Sequence, residues 1–402
     1  MSVQTGIDVC IEDRFKKFKG KRVGLLIHPA SVDSKLRYTQ DLFLQNVGNR
    51  HARSLPNRPH KKLNVKALFT PEHGLYGTQE YMKGVESFRD SRSGLPVYSL
   101  YGETLKPTSK MLEEIDTMVI DLQDVGTRYY TFIWTTALTL RACAQNNKQV
   151  VILDRPNPIN GTTLEGPVLS PNFSSFVGLY PIPVRHSMTI GELARMFNLH
   201  FKIRAELEII KMQGWHRKMW FDETGLPWVM PSPNMATFET AIVYPGMCLL
   251  EGTNISEARG TTRPFELFGA PWIDERKLCQ ELNKENLPGV VFRPVHFIPY
   301  TSKFKEKLCK GAQLHITQRI QFEPFLTGVH IIKVIKNMYP KFFEWRKPPY
   351  EYEHKKLPFD LLAGNSWLRK FIEQDKPLKE MQSRWGKELE TFKSIREEYL
   401  LY

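Results

Sequence analysis

The fold prediction starts from Leu68-Phe-Thr-Pro-Glu-His-Gly-Leu-Tyr-Gly77, which places a carboxylate and an imidazole directly behind a short, mostly apolar strand. Pro71 fixes one backbone angle, and Gly74 permits a sharp reversal of the chain. Glu72 and His73 are therefore expected on a rigid turn, which is the setting that a catalytic acid or base needs. Taken alone, however, the same pattern is more typical of solvated surface residues.

Polar residues also end four other apolar runs in the first half of the chain, at residues 22–27, 97–100, 118–120 and 150–153. Helix-like stretches lie between these runs, at 39–45, 108–114 and 131–145. This alternation predicts an α/β fold with a Rossmann-like, doubly wound, mostly parallel sheet. Its carboxyl edge would carry the polar residues, and ligands bind at that edge in such sheets.

The length of 402 residues predicts two domains. We expect a Rossmann-like catalytic domain at residues 1–245 and a smaller α/β domain at 246–402 that closes a cleft. The polar loop from Glu251 to Glu266 could fold over the carboxyl edge of the first domain. From Pro377 onward, spaced apolar residues among Lys and Glu predict an amphipathic helix that packs on the body.

Composition indicates an ordinary packed protein, with 41% hydrophobic residues and five widely spaced cysteines that predict reduced thiols. Neither a signal peptide nor a membrane-spanning segment is visible, so the chain is expected to be cytoplasmic as written. A mature form of an exported protein would look the same.

The formal charge of +13 is spread along the chain without a nucleic-acid recognition motif, so no specific nucleic-acid partner is expected. The densest basic stretch, Arg50 to Lys62, is interpreted as a solvated insertion between a helix and a strand.

Several familiar chemistries lack their sequence signature. The glycine fingerprint of dinucleotide-binding domains is replaced by Ile27-His-Pro-Ala-Ser-Val-Asp33, and no P-loop is present. The motifs of zinc proteases and of serine esterases are also missing. The sequence therefore predicts neither a cofactor nor a metal site.

A cleft rich in carboxylates, arginines and aromatic rings remains, which is the chemistry that glycoside hydrolysis requires. Glu72 is a natural proton donor. The second group could be any of five carboxylates: Asp121, Asp124, Glu165, Glu251 or Glu257. Aromatic residues could stack on a sugar, although core packing is the more common role for each: Tyr101, Tyr129, Tyr130, Trp134 and Trp228.

The chain also resembles a known family through seven motifs in one order. They are Phe69-Thr-Pro-Glu-His-Gly74, Leu95-Pro-Val-Tyr-Ser-Leu-Tyr-Gly-Glu-Thr104, Asp121-Leu-Gln-Asp-Val-Gly-Thr-Arg-Tyr-Tyr-Thr131, Leu153-Asp-Arg-Pro-Asn-Pro158, Leu164-Glu-Gly-Pro-Val168, Pro231-Ser-Pro-Asn234, and Leu250-Glu-Gly-Thr-Asn254 with Arg259-Gly-Thr-Thr-Arg-Pro-Phe-Glu266. Together they are similar to the exo-β-N-acetylmuramidase family typified by NamZ, long catalogued as a domain of unknown function.

This resemblance implies a glycosidase that removes terminal N-acetylmuramic acid from the non-reducing end of peptidoglycan fragments, with muramyl sugars as its only expected partner. It places the catalytic role on Glu72, together with His73 and Asp124. Further cleft residues implied by the matching motifs are Arg128, Tyr129, Asn157, Glu251, Arg259 and Arg263. The alternative is a catalytically silent module that binds cell-wall glycan.

Overall fold

The computed structural model describes residues 2–45, 63–80 and 82–402. The basic stretch from Arg50 to Lys62, interpreted above as a solvated insertion, lies outside these residues.

Strands and helices alternate through the first half of the chain. In order they are α1 (Gly6–Glu12), β1 (Arg22–Ile27), α2 (Thr39–Gln45), β2 (Asn64–Thr70), β3 (Phe88–Arg89), β4 (Pro96–Ser99), α3 (Ser109–Leu112), β5 (Thr117–Asp121), α4 (Phe132–Gln145), β6 (Gln149–Leu153), β7 (Glu165–Val168), β8 (Pro183–Arg185), α5 (Ile190–Leu199) and β9 (Leu207–Ile210). The strands and helices predicted here from apolar runs are all present. β3, β7, β8 and β9 were not predicted from the sequence.

Seven strands form the central sheet in the order β3-β4-β2-β1-β5-β6-β9. All neighbours in it are parallel except the edge pair β3 and β4. Numbered along the chain, the six parallel strands have the order 3-2-1-4-5-6 of dinucleotide-binding domains. This confirms the predicted α/β fold with a doubly wound, mostly parallel sheet.

The second half contains α6 (Phe238–Met247), β10 (Leu267–Ala270), α7 (Glu275–Lys284), β11 (Val290–Phe297), β12 (Cys309–Ile316), α8 (Pro324–Met338), α9 (Pro358–Ala363), α10 (Trp367–Glu373) and α11 (Leu378–Glu397). Its three strands form an antiparallel sheet in the order β10-β12-β11. The boundary expected at residue 245 falls inside α6, whose closest partner is α8.

The C-terminal segment returns to the first half of the chain. The predicted amphipathic helix is α11, which packs on β7, and Glu388 accepts a 2.9 Å hydrogen bond from the Val168 backbone. Beyond the helix, the Tyr402 hydroxyl donates a 2.8 Å hydrogen bond to Asp154 at the end of β6. α11 and the residues after it thus hold the second half of the chain against the first half.

Buried polar side chains of this chain lie at the switch point between β1 and β5, where a dinucleotide would sit in such a sheet. Arg155 donates to both oxygens of Asp121 at 2.5 and 2.8 Å. His28 accepts a 2.9 Å hydrogen bond from the Gln123 backbone. A nucleotide would have to displace this buried ion pair.

Candidate active site

Glu72 and His73 lie on a tight turn behind β2, at the carboxyl edge of the sheet. His73 and Gly74 both have left-handed backbone angles, with φ of 73° and 75°. His73 keeps its place because its Nδ1 lies 2.7 Å from the Gln79 carbonyl oxygen. Both Glu72 and His73 are buried, at 6% and 7% exposure, although a Pro/Gly turn normally faces solvent.

Glu72 lies beside the N-terminus of α4. Thr131 precedes the helix, and its hydroxyl donates a 2.8 Å hydrogen bond to Glu72 Oε2. The Met82 backbone N–H donates to Oε1 at 3.3 Å. Each carboxylate oxygen therefore receives a donor, and a helix N-terminus favours a nearby negative charge.

A pocket of about 440 Å³, its open mouth included, lies in front of Glu72. Residues from both halves of the chain line it: Glu72, His73, Tyr129, Tyr130, Thr131, Val177, Ser232, Asn234, Met235, Tyr244, Glu251, Arg259, Phe265, Tyr350 and Glu351. The cleft between the two halves is thus the candidate site.

Aromatic rings form one wall of this pocket. Tyr244 meets Tyr129 edge-on at 5.6 Å between ring centroids and Phe265 at 4.9 Å. The Tyr129 hydroxyl donates to the backbone oxygen of Pro245 in α6, so this ring is fixed by the second half of the chain. A wall of packed rings offers the flat apolar surface that a sugar face requires.

Glu251 is a buried carboxylate held on both oxygens. Arg259 donates to Oε1 at 2.6 Å, and the Tyr350 hydroxyl donates to Oε2 at 2.8 Å. Burial raises the pKa of Glu251, but the Arg259 charge and these hydrogen bonds outweigh burial and leave the pKa below its ordinary value. Glu251 is therefore an ionised carboxylate that connects Arg259 to Tyr350.

Glu351 brings another carboxyl group to the same pocket, on the loop before α9. It is 6% exposed, and the Tyr101 hydroxyl donates a 2.9 Å hydrogen bond to its Oε2. Burial raises the pKa of Glu351 well above its ordinary value, and the nearby Glu72 charge raises it further. The pocket therefore combines carboxyl groups whose environments push their pKa values apart.

Five of the nine residues expected at the site line the pocket, namely Glu72, His73, Tyr129, Glu251 and Arg259. The other four lie outside its lining: Asp124, Arg128, Asn157 and Arg263. Asp124 accepts a 2.7 Å hydrogen bond from the Gly126 backbone and faces His186 at 3.3 Å.

Arg128, Asn157 and Arg263 each have local partners. Arg128 is buried and donates to the backbone oxygens of Pro167, Ile182 and Leu362 at 2.7–3.0 Å, so it joins the two halves. The Asn157 amide spans the Met188 oxygen and the Ile159 N–H. Arg263 is half exposed and pairs with Glu266 at 3.0 Å.

The other carboxylates considered as the second catalytic group are neutralised elsewhere. Asp121 pairs with Arg155 at the switch point, and Glu257 pairs with Lys303 at 2.9 Å. Glu165 lies in β7, where burial raises its pKa to about 8 despite Arg185.

Of the aromatic candidates, Trp134 stacks on Phe197 in the core at 5.4 Å. Trp228 lines a separate pocket at the switch point.

Sequence reasoning missed Glu351, Tyr350 and the contact role of Thr131. Pro349-Tyr-Glu-Tyr-Glu-His354 reads as an ordinary polar loop, and no strand end marks it. Only the unusual pair of tyrosines around Glu351 offered a signal. Thr131 lay at the end of a motif and at the start of a predicted helix, and neither feature indicated a contact with Glu72.

Two family models match the chain. The N-terminal domain of exo-beta-N-acetylmuramidase NamZ matches residues 23–239, and the C-terminal domain matches residues 242–402.

Similar proteins span the full length of the chain. Peptidoglycan beta-N-acetylmuramidase NamZ of Bacillus subtilis strain 168 is 47% identical over 400 residues, which cover 100% of this chain and 91% of that protein. Two crystal structures of DUF1343 family proteins from Bacteroides fragilis NCTC 9343 superpose with TM-scores of 0.87 and 0.75. They are 35% and 28% identical, and each match covers 100% of this chain and 99% of the other.

None of the helices in the described residues is long and apolar enough to cross a membrane.

Proposed function

The chain belongs to the exo-β-N-acetylmuramidase family typified by NamZ, and we propose that it releases terminal N-acetylmuramic acid from the non-reducing end of peptidoglycan fragments. The observation that carries the proposal is the pocket at the carboxyl edge of the sheet. It places Glu72 and Glu351, from opposite halves of the chain, beside a wall of aromatic rings. Glycosidases commonly work with two carboxyl groups across the scissile bond.

The pocket supports action on a chain end. Residues from both halves of the chain line the space in front of Glu72. The sugar would enter between the turn of Glu72 and the loop of Tyr350, with rings such as Tyr244 against its apolar face. This geometry favours a terminal residue over an internal one.

A silent glycan-binding module is the second candidate, and the buried carboxyl groups argue against it. Glu72 and Glu351 are each 6% exposed, and burying carboxyl groups to this extent costs free energy. A module that only binds glycan could do so through its aromatic rings, without this cost. Active sites retain such groups because they move protons.

The test is hydrolysis of 4-nitrophenyl β-N-acetylmuraminide and of the disaccharide N-acetylmuramyl-β-1,4-N-acetylglucosamine, with the matching glucosaminide as the control substrate. We expect release of N-acetylmuramic acid from both muramyl substrates and little release of N-acetylglucosamine from the control. Glu72→Gln keeps the shape of the side chain and should lower turnover by roughly 10²–10⁴-fold. Binding of muramyl sugar without any turnover by the unaltered protein would identify the silent module instead.

A further inference from the structure

Glu351 is the pocket carboxyl group whose surroundings leave one oxygen available to a ligand. Its Oε2 is fixed by the Tyr101 hydroxyl at 2.9 Å. Within residues 2–45, 63–80 and 82–402, its Oε1 receives no hydrogen bond, although it faces the same pocket as Glu72. Glu251, by contrast, is held on both oxygens, by Arg259 and Tyr350.

The backbone around Glu351 is held in a strained form. Glu351 and Tyr352 have consecutive left-handed angles, with φ of 45° and 65°, although neither is glycine. Such backbone angles are energetically unfavourable for residues other than glycine and persist where the surrounding structure fixes them. Here Tyr350 is fixed by Glu251, and the Tyr352 ring meets the Tyr101 ring edge-on at 5.5 Å. This backbone conformation places the Glu351 side chain in the lining of the pocket.

Glu72 and Glu351 have opposite environments. Glu72 receives the Thr131 hydroxyl and the Met82 N–H beside a helix N-terminus, which suits an ionised carboxylate. Glu351 sits on a loop and receives the Tyr101 hydroxyl as its one donor among the residues that the structure describes. Burial raises its pKa well above the ordinary value, as does the Glu72 charge. Two such carboxyl groups divide acid and base roles between them.

We infer that Glu351 donates the proton to the glycosidic oxygen and that Glu72 is its ionised partner at the anomeric carbon. This inference rests on the proposed function and reverses the donor role that the sequence alone predicts for Glu72. The Glu351 proton moves to the glycosidic oxygen while the bond from that oxygen to C1 breaks and leaves its electron pair on oxygen. C1 then gains an oxygen in one of two ways. Either a water molecule attacks C1 and gives its proton to Glu72, or Glu72 itself bonds to C1 and a water molecule then displaces Glu72 from C1 and gives its proton back to Glu351.

Substrates with different leaving groups distinguish the proton donor from the carboxylate that acts at the anomeric carbon. A sugar alcohol needs protonation to depart, whereas 4-nitrophenolate departs without it, so loss of the proton donor spares aryl substrates. Glu351→Gln should lower turnover of the muramyl disaccharide by roughly 10²–10⁴-fold and that of the 4-nitrophenyl substrate by less than about tenfold. Glu72→Gln should lower both by a similar large factor. Glu353→Gln, on the same loop with its carboxylate at the surface, is the matched control and should change neither.

Equal losses on both substrates in Glu351→Gln would overturn the inference, and so would a leaving-group dependence that appears in Glu72→Gln instead. Should the unaltered protein cleave neither muramyl substrate, the proposed function itself fails. An active protein whose Glu351→Gln variant cleaves the disaccharide normally disproves only the inference.

Tyr101→Phe provides a second measurement that does not depend on the fold of the Glu351 variant. Removing the hydroxyl takes away a hydrogen bond that stabilises the ionised form of Glu351, so the pKa of the donor should rise. The alkaline limb of kcat/KM on the disaccharide should then move to higher pH. An alkaline limb that stays in place, in an active variant, would show that Glu351 is not the donor.

Discussion

Thr131 stands at the N-terminal cap position of α4, yet its hydroxyl donates a 2.8 Å hydrogen bond to Glu72 instead of accepting one from the helix backbone. Threonine at this position usually stabilises the helix by accepting from a free N–H. In this protein the Thr131 side chain binds the Glu72 carboxylate instead, and this hydrogen bond connects the start of α4 to the turn behind β2.

We expect Thr131→Val to lower kcat/KM by about 10–100-fold, because a hydrogen bond to a charged group contributes about 1.5–3 kcal/mol. The melting temperature should change little, because the hydroxyl does not cap the helix. Thr131→Ser keeps the hydroxyl and serves as the control, with near-normal kinetics. A large fall in melting temperature with unchanged kcat/KM would show that the hydroxyl is structural.

Selectivity for the lactyl carboxylate of muramyl sugars should depend on Arg346. Its guanidinium lies over the Tyr350 ring at 5.3 Å and contacts Met82 at 3.8 Å, and among the described residues no carboxylate lies within 4 Å of it. Arg259 already pairs with Glu251, and Arg263 with Glu266. Within the part of the chain that the structure describes, Arg346 is therefore the guanidinium beside the pocket that has no anionic partner.

We expect Arg346→Lys to reduce the preference for muramyl over glucosaminyl substrates by about tenfold, because lysine lacks the two-pronged geometry. Arg259→Lys should lower the melting temperature and the turnover of both substrates. Arg263→Lys should change neither quantity. Kinetics on paired 4-nitrophenyl substrates measure the preference, and a selective loss in Arg259→Lys alone would assign the role to Arg259 instead.

Arg128 should act on stability rather than on substrate binding. Its three hydrogen bonds to backbone oxygens hold both halves of the chain, and burial lowers its pKa to about 10, which leaves it charged at neutral pH. Arg128→Lys cannot reach all three oxygens and should cost about 2–4 kcal/mol of unfolding free energy. Denaturant unfolding measures this cost. A raised KM with unchanged stability would favour the substrate role implied by the resemblance.

Asp154, which accepts the hydrogen bond from the C-terminal Tyr402, should make the stability of the folded protein depend on pH. Burial raises its pKa to about 7, and the Glu192 charge adds to this effect. The folded state then keeps a proton that the unfolded chain releases above about pH 4. This contribution to stability is complete below that pH and is lost as pH rises towards 7.

Asp154→Asn removes the titration while keeping the shape of the side chain. The melting temperature of the variant relative to the unaltered protein should therefore increase between pH 5 and pH 8. Calorimetry at intervals of one pH unit measures the difference, in which all other titrating groups cancel. A difference that is constant with pH would show that Asp154 does not titrate in this range.

The sequence predicted five strands of the central sheet because their signals are local. Each of these five strands is a short apolar run, and each helix between them is a separate stretch, so neither depends on distant residues. β1 and α2 have the predicted bounds, Arg22–Ile27 and Thr39–Gln45. The turn of Glu72 was predictable for the same reason, since proline and glycine restrict the backbone within a few residues.

The sequence by itself thus determined the sheet, the turn that carries Glu72 and the family. Only the tertiary structure decided which carboxyl group faces Glu72. Glu351 reaches it through a loop of the second half, and its contact with Tyr101 spans 250 residues of chain. Hydrophobic patterns and turn residues record how a segment folds, whereas contacts between distant segments arise from packing the two halves together. Burial, which sets the acid and base character of these carboxyl groups, exists only after that packing.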